Sequence, residues 1–228
     1  ANAWTRVFRS RAKTARVIAL SRHVIAGNQI LGAYASRYNP NVTVIPTPVD
    51  TNWFSPPPSR PRTGRLVIGW IGSPTTAGYL SELDGVFEAL ARRYPHVEIR
   101  AIGPGRLTMR APNVRVVPWQ LERERDELHR FDIGLMPMPD TEWTRGKCAF
   151  KALLYMSVGI PVVASPVGVS REIVRDDISG FHADTSEAWA DRLSRLIEDH
   201  PLRERMGQAG REIVEQEYSV HVHAPRLL

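Results

Sequence analysis

The sequence predicts an α/β fold in which helices cover both faces of a parallel, doubly wound sheet. Beyond residue 65, strand-like and helix-like periods alternate regularly, and strands separated by helices of this length pair in parallel. The segment 161–164 is also apolar at every position, as a strand buried on both faces requires. The segment before residue 50 predicts a second, truncated α/β piece.

The N-terminal piece contains one alternating unit. It consists of a helix, a strand, a second helix capped by Asn28 and a second strand, which are predicted over 4–20, 23–27, 29–38 and 42–45. This unit is too small to close a core of its own, so we interpret residues 1–50 as the remnant of a larger domain. The proline-rich segment 51–64 is predicted to be a semi-rigid linker.

The main domain is predicted over residues 65–217, and residues 218–228 are predicted to form a tail or terminal helix. Its strands are expected at 66–71, 97–102, 114–117, 132–136 and 161–164. Its helices are expected at 79–93, 121–130, 148–158, 170–176, 186–198 and 202–217. In the helix 148–158, we predict that Phe150, Leu153, Leu154 and Val158 form the buried stripe.

The formal charge of +6 is concentrated at the start of the chain, where the first 49 residues carry seven basic side chains and no acidic one. The predicted first helix is therefore basic and amphipathic. Its basic face has two interpretations: it belongs to the surface of the larger domain, or it binds anionic lipid. No nucleic-acid-binding motif accompanies the charge, so nucleic acid is not an expected partner. The basic and apolar residues concerned are Trp4, Arg6, Val7, Phe8, Arg9, Arg11, Lys13 and Arg16.

Composition also bounds the location of the protein. No apolar run approaches the roughly 18 residues that a membrane-spanning helix needs. The single cysteine, Cys148, excludes an internal disulfide framework and fits a reducing compartment. We therefore predict a cytoplasmic protein. If the basic helix binds anionic lipid, we expect it to make peripheral contact with the inner membrane surface.

The chemistry is predicted where a loop becomes the helix 148–158. The chain contains only three lysines, and two of them, Lys147 and Lys151, are spaced i and i+4 at this point. Such residues share a helix face, and a helix N-terminus exposes unpaired N–H groups beside a partial positive charge. The two readings are a solvated helix edge and a phosphate site, and the adjacent parallel strand favours the phosphate site.

Common nucleotide-binding and hydrolytic motifs are absent from the sequence. The turn 69–78 does not fit the glycine spacing of a dinucleotide fold, and Cys148 follows Gly146-Lys147 where a P-loop requires a hydroxyl residue. There is no nucleophile elbow and no His/Cys metal spacing.

Five short motifs, in order along nearly the whole chain, resemble the donor domain of glycosyltransferase family 4 enzymes with the GT-B fold, whose donor half is Rossmann-like. They are PTPVD at 46–50, IGWIGSP at 68–74, GKCAFK at 146–151, GIPVVAS at 159–165 and LRERMG at 202–207. The resemblance implies that residues 1–50 end an acceptor domain and that the next domain binds a nucleoside diphosphate sugar of the UDP or GDP type. It also implies transfer with retention at the anomeric carbon, without a metal or other cofactor, to an unknown glycan or lipid-linked acceptor.

Mapped onto this chain, the resemblance places the diphosphate along the first-turn loop from Gly72 to Gly78. Relatives carry an Arg and a Lys there, whereas this chain offers Ser73, Thr75 and Thr76. The family's Glu-(seven residues)-Glu element falls on Gly146 and Leu154, so both carboxylates are lost, and Cys148 lies in the same donor-binding stretch.

We predict that Lys147 and Lys151 take over the charge role and stabilise the departing diphosphate. Trp119 either borders the base or packs in the core, and Gly103 either lets backbone approach the nucleotide or merely makes a turn. Because the carboxylates are lost, a non-catalytic nucleotide-binding module is a second interpretation. A basic membrane-surface domain is a third.

Overall fold

The computed structural model describes residues 11–59 and 64–227. Within these residues, the main feature is a six-stranded parallel sheet. Its strands are β3 (Leu66–Ile71), β4 (Val97–Ile102), β5 (Val114–Val117), β6 (Ile133–Met136), β7 (Val162–Ala164) and β8 (Gly180–His182). Their order across the sheet is β5-β4-β3-β6-β7-β8, with every neighbouring pair parallel. The predicted fold class is confirmed.

The strand order reverses next to β3, which pairs with β4 on one side and β6 on the other. The chain builds outward from β3 to β5 and then returns to lay β6, β7 and β8 on the opposite side. At such a reversal, the loops that follow the two central strands diverge and leave a crevice at the carboxyl edge of the sheet. The fold therefore provides a ligand site beside the end of β3.

Helices cover both faces of this sheet, and a second, two-stranded parallel sheet consists of β1 (Val24–Ala26) and β2 (Val42–Val44), against which the helix Gln29–Ala35 packs. The helices before β4 are α1 (Arg11–Leu20), α2 (Gln29–Ala35), α3 (Ala77–Ser81) and α4 (Asp84–Arg93). Those between β5 and β8 are α5 (Glu124–Leu128), which a 3-10 turn (Leu121–Arg123) precedes, α6 (Glu142–Arg145), α7 (Phe150–Ser157) and α8 (Ser170–Ile173). The last are α9 (Ser186–Glu198), α10 (His200–Glu217) and α11 (Val220–His223), which a 3-10 turn (Ala224–Arg226) follows.

Alternate side chains of β3 enter the two halves of the core. Ile68 and Trp70 point to the face that α4 and α9 cover, and Val67 and Ile71 point to the face that α7 and α10 cover. All six residues of β3 are buried, as the continuous apolar pattern of a central parallel strand predicts.

Local signals fix the helix ends. The side chain of Asn28 accepts a hydrogen bond from the Leu31 N–H at 2.8 Å, which confirms the predicted cap. Asp199 caps α10 in the same way, so that helix begins at His200, two residues earlier than predicted. Gly159, with φ of 71°, lies in the left-handed region that ends α7 before β7.

The N-terminal unit is tied to the main domain by polar contacts. The Asn28 Nδ2 donates to the Gly146 carbonyl at 2.9 Å, and the Val49 N–H donates to the Tyr218 carbonyl at 2.8 Å. The segment after residue 50 is also anchored, because the guanidinium of Arg211 donates to the carbonyls of Thr51 and Phe54. The first half of the predicted linker thus packs against α10.

Several predicted elements differ from the structure. The helix predicted over 79–93 is two helices, α3 and α4, and the segment 121–130 is a 3-10 turn followed by the short α5. The short elements α6 and β8 were not predicted, whereas α11 lies within residues 218–228, for which a tail or terminal helix was predicted. Phe150 was predicted to be buried but is 44% exposed, because α7 begins at this residue and its first turn faces the edge of the sheet.

The predicted basic first helix lies partly outside the described residues, since Trp4, Arg6, Val7, Phe8 and Arg9 precede them. In the described part, α1 leaves Val17 66% and Leu20 77% exposed. None of the helices over 11–59 and 64–227 combines the length and apolar character that crossing a membrane requires.

Candidate active site

A pocket of about 400 Å³ lies at the carboxyl edge of the sheet, beside the end of β3. Residues from three loops and from the first two turns of α7 line it. They are Ile71, Gly72, Ser73, Pro74, Gly103, Trp119, Glu124, Phe150, Lys151 and Leu154. Eight of the eleven predicted site residues are therefore near one another: six line the pocket, and Thr75 and Thr76 each contact one of those six.

Two glycines allow the backbone of neighbouring loops to touch at this pocket. Gly103 has φ of 74°, and a Cβ on it would lie 2.5 Å from the Gly72 carbonyl oxygen. A Cβ on Gly72 would in turn overlap the Trp70 ring at 2.3 Å. Glycine is thus required at both positions for close packing, and Gly103 also for its conformation.

The loop after Gly72 is held by its own hydroxyl groups. The Thr76 Oγ1 donates to the Ser73 carbonyl at 3.1 Å and accepts from the Ser73 N–H at 3.2 Å. The hydroxyls of Ser73 and Thr75 lie 2.8 Å apart, and both residues are exposed. The loop therefore presents hydroxyls rather than charge to the pocket.

Lys151 brings a cation to this loop from α7. Its Nζ lies 3.5 Å from the Thr76 Oγ1 and 4.4 Å from the centre of the Trp70 ring. Burial lowers the pKa of the Lys151 ammonium to about 8, and the charge of Lys147 acts in the same direction. A lysine with that pKa is mostly charged at neutral pH, and a neighbouring anion would favour its charged form.

Lys147 reaches the same corner without sharing the helix. It precedes α7, so the i, i+4 face that the sequence predicted does not exist. Its Nζ lies 4.9 Å from the centre of the Tyr79 ring in α3, and burial lowers its pKa. The turn before α7, rather than helical periodicity, brings the two ammonium groups near each other.

That turn contains an unusual backbone conformation at Ala149. Its φ of 48° and ψ of 33° place a residue other than glycine in the left-handed region, at the N-terminal cap of α7. Such a conformation costs on the order of 1–2 kcal/mol and must be held by its surroundings. It turns the chain into α7, whose first two residues, Phe150 and Lys151, line the pocket at the edge of the sheet.

Trp119 forms the other end of the pocket. The residue is 47% exposed, and its Nε1 donates to the Glu124 carboxylate at 2.9 Å. Of its two predicted positions, the core is therefore excluded. Leu154 also lines the pocket but is 3% exposed, so it contributes an apolar wall.

Gly146 and Cys148 lie away from this pocket, at the junction with the N-terminal unit. The Gly146 carbonyl accepts from Asn28, and a Cβ on Gly27 would meet the Cys148 Sγ at 2.6 Å. Cys148 lines a different cavity of about 90 Å³ together with Gly27 and Asn28. The left-handed turn at Ala149 separates Gly146 and Cys148 from Lys151. Their closeness in the sequence gave no indication of this separation.

A larger cavity, of about 570 Å³, lies at the opposite edge of the sheet, near the residues before β6 and β7. Its walls carry both charges, including Arg203, Arg211, Glu204 and Glu212. Both arginines donate to backbone carbonyl oxygens: Arg203 to the C-terminal end of α9, and Arg211 to the segment after residue 50. Their guanidinium groups therefore stabilise the packing of the chain at this edge. We place the candidate site in the smaller pocket, because it combines a partly buried cation, close backbone approach and the strand-order reversal.

The loop before α6 has a structural role. Asp140 pairs with Arg145 at 2.5 Å, which lowers the pKa of the Asp140 carboxyl, and Thr141 forms a capping box with Thr144. In the described part of the chain, no three or more His, Cys, Asp or Glu side chains gather as a metal site would need.

Sequence reasoning missed Trp70 and Tyr79, the rings that contact the two lysines. Trp70 lies close before the glycine-containing loop, which was only a weak indication that its ring belongs to the site. Its contact with Lys151 joins residues that are 81 positions apart in the sequence. Contacts of that range leave no local pattern in the sequence.

Comparison with known proteins finds relatives of one kind. A profile of the family described as Glycosyl transferases group 1 matches residues 65–199. A D-inositol 3-phosphate glycosyltransferase of Nocardioides sp. is 30% identical over 152 residues, which cover 65% of this chain and 30% of that protein. The corresponding protein of Xylanimonas cellulosilytica is 27% identical over 198 residues, or 75% of this chain and 46% of its own length. The chain thus spans less than half the length of these curated relatives.

Solved structures share the fold at low sequence identity. The crystal structure of TarM superposes with a TM-score of 0.77 and 16% identity, over 95% of this chain and 45% of that one. Anabaena Alr3699/HepE, solved in complex with UDP-glucose, gives 0.69 and 20% identity, over 96% of this chain and 67% of that one. These similarities support a GT-B architecture.

Proposed function

The chain belongs to the group 1 glycosyl transferases, and from this premise we propose that it is the donor half of a retaining, family 4 type enzyme. It binds a nucleoside diphosphate sugar, and the whole protein transfers the sugar to an acceptor. The observation that carries the proposal is the partly buried Lys151 ammonium, which faces the hydroxyl-lined loop after β3 at the carboxyl edge of the sheet. An anion in that corner would offset the cost of burying the cation.

The pocket has two ends that suit the two parts of a nucleotide. At one end, the half-exposed indole of Trp119 offers a flat apolar surface on which a base can stack. At the other end, Lys151 and the loop that includes Ser73 offer a charge and hydroxyl donors. Anabaena Alr3699/HepE, solved with UDP and with UDP-glucose, supports a uridine or similar nucleotide as the ligand.

The charge proposed to bind the diphosphate comes from the start of α7 and the turn before it, and not from the loop after β3. The loop from Gly72 to Gly78 has no basic residue, and we propose that Lys147 and Lys151 supply the charge across the pocket. An ammonium group serves well here, because it is a compact charge that can follow an oxygen as the diphosphate leaves.

We propose that the chemistry is a same-face displacement at the sugar. The bond between the anomeric carbon and the diphosphate oxygen breaks, and a bond from the acceptor oxygen forms on the same face. The acceptor proton passes to the departing phosphate oxygen, so the reaction needs no pair of carboxylates. The ammonium groups stabilise the negative charge that grows on this oxygen, and no metal is required.

The acceptor would meet the sugar from the rest of the longer protein, of which residues 1–50 are a part under this proposal. A glycan or a lipid-linked hydroxyl compound fits the family relationship. Small phosphorylated acceptors are a further class, because two relatives are named D-inositol 3-phosphate glycosyltransferase. Contact of the basic first helix with a membrane stays a prediction.

A thermal shift experiment tests the proposal. UDP or GDP at 100-fold excess over its dissociation constant should stabilise the protein by about 2.7 kcal/mol, whereas uridine, which lacks the diphosphate, should act weakly. The same shifts in EDTA would support a metal-independent site. Equal lack of response to UDP, GDP and their sugars would contradict it, and binding to anionic vesicles in that case would favour a membrane-surface role.

A further inference from the structure

Each of the two lysines at the candidate site rests on the face of an aromatic ring. The Lys151 Nζ lies 4.4 Å from the centre of the Trp70 ring, and the Lys147 Nζ lies 4.9 Å from the centre of the Tyr79 ring. Both distances are within the range of a cation–π interaction. Both rings belong to the segment from β3 to α3, and both lysines belong to the segment that leads into α7.

We propose that Trp70 and Tyr79 are positioning residues that hold the Lys151 and Lys147 ammonium groups in place for the diphosphate. The inference rests on the proposed function of this site and adds a role for two residues outside the family motif. The segment from β3 to α3 contributes no cation itself, and it would instead fix the cations that another segment supplies.

An aromatic face suits this task better than a carboxylate. A carboxylate partner would neutralise the lysine and compete with the diphosphate, whereas a ring attracts the ammonium and leaves its charge available. Within the described residues, the hydrogen-bond and ring partners of the two ammonium groups are the two rings and the Thr76 hydroxyl. The long lysine side chains are thereby restrained before any ligand arrives.

The packing around Trp70 indicates that its ring face matters. The residue is fully buried, yet its indole N–H has no hydrogen-bond partner among the described residues. A buried donor without an acceptor is unfavourable, and phenylalanine would avoid that cost. Tryptophan does, however, offer the strongest cation-binding face of the aromatic residues.

The ring, the ammonium and the loop meet directly. A Cβ on Gly72 would lie 2.3 Å from the Trp70 ring and 2.9 Å from the Lys151 Nζ. The loop proposed to line the diphosphate therefore packs on the same ring that supports the cation. Displacing the ring would move both the cation and the loop backbone.

The lysine content makes the inference directly measurable. Reductive methylation with ¹³C-formaldehyde would label Lys13, Lys147, Lys151 and the N-terminal amine, and Lys→Arg variants can assign the three lysine signals. A methyl group above an aromatic ring resonates upfield, so we expect displaced signals for Lys147 and Lys151. This readout needs no nucleotide.

Tyr79 is the residue to change first, because it is only partly buried. In Tyr79→Leu, we expect the Lys147 signal to lose its upfield displacement and UDP affinity to fall about threefold to tenfold. In Tyr79→Phe, which keeps the ring, we expect the displacement to remain. Trp53→Leu is the matched control, because it removes a ring 4.4 Å from the Arg125 guanidinium outside the pocket.

Trp70→Phe is a second variant, which replaces the indole with the weaker cation-binding face of a phenyl ring, so we expect a smaller upfield displacement of the Lys151 signal. A circular dichroism melt shows whether this variant folds. Lysine signals and UDP affinity that do not differ between Tyr79→Leu and the wild type would overturn the inference. Wild-type protein that shows the displaced signals but does not bind UDP would instead contradict the proposed function and leave the ring contacts established.

Discussion

The Lys151 ammonium lies over the Trp70 ring, 4.4 Å from its centre, although the two residues come from opposite faces of the sheet. Trp70 belongs to the half-core under α4 and α9, whereas α7, which carries Lys151, packs on the other face. The lysine can reach the ring only around the carboxyl edge of β3. This crossing brings a cation to a loop that has none.

Replacement of Lys151 should weaken donor binding strongly. We expect Lys151→Ala to lower the affinity for UDP by about tenfold to a hundredfold, because a hydrogen bond to a charged group contributes roughly 1.5–3 kcal/mol. Isothermal titration calorimetry measures the change. Lys13→Ala, which removes the remaining lysine far along the chain, is the control and should bind like the wild type.

In the complete enzyme, Lys151→Ala should also reduce turnover by at least about tenfold, because the ammonium stabilises charge on the departing diphosphate. A steady-state assay at saturating donor measures this effect separately from binding. An unchanged turnover would remove Lys151 from the proposed mechanism.

The pH dependence of binding should report the same lysine. The pKa of Lys151 is lowered to about 8 by burial, so the ammonium is mostly charged at pH 7 and mostly neutral at pH 9. Because the diphosphate favours the charged form, UDP affinity should fall by about tenfold between pH 7 and pH 9. Lys151→Arg, which stays charged throughout, should flatten this profile. A profile that is equally steep in the variant would assign it to another group.

Trp119 should matter for the base but not for the diphosphate. Base stacking on an aromatic side chain contributes about 1–3 kcal/mol, so Trp119→Ala should weaken UDP by roughly tenfold or more. Inorganic pyrophosphate, which has no base, should bind the variant and the wild type alike. Competition experiments with both ligands distinguish a base-binding role from general damage to the pocket, which would weaken both.

Gly103→Ala should destabilise the edge of the sheet. The new Cβ would lie 2.5 Å from the Gly72 carbonyl oxygen, and the φ of 74° disfavours any L side chain. We expect a loss of at least about 1–2 kcal/mol in the free energy of unfolding. Gly85→Ala in α4 is the matched control, since it meets no atom within 4 Å and should stabilise by about 0.5–1 kcal/mol. Urea unfolding of both variants gives the comparison, and equal stabilities would contradict the packing at Gly103.

The fold was predictable because each strand of the main sheet except β8 is a distinct strand-like segment between helices, although β4 and β5 include charged residues. The strand β8 escaped prediction because its three residues, Gly180–His182, show no periodicity. The helix predicted over 79–93 was too long, because an apolar stripe continues across the break between α3 and α4.

The sequence indicated several of the residues that line the pocket, but not the geometry that brings them together. The scarcity of lysine drew attention to Lys147 and Lys151, yet a helical i, i+4 relationship does not bring them together. The left-handed Ala149 redirects the chain, and no local sequence rule assigns that conformation to alanine. The same turn places Gly146 and Cys148 against the N-terminal unit and exposes Phe150 at the pocket.

The most direct test is a crystal structure of the protein with UDP bound. Our account predicts that diphosphate oxygens lie about 3 Å from the Lys151 Nζ, beside the loop that begins at Gly72, with the base against Trp119. UDP bound instead at the opposite edge of the sheet, between Arg203 and Arg211, would contradict it.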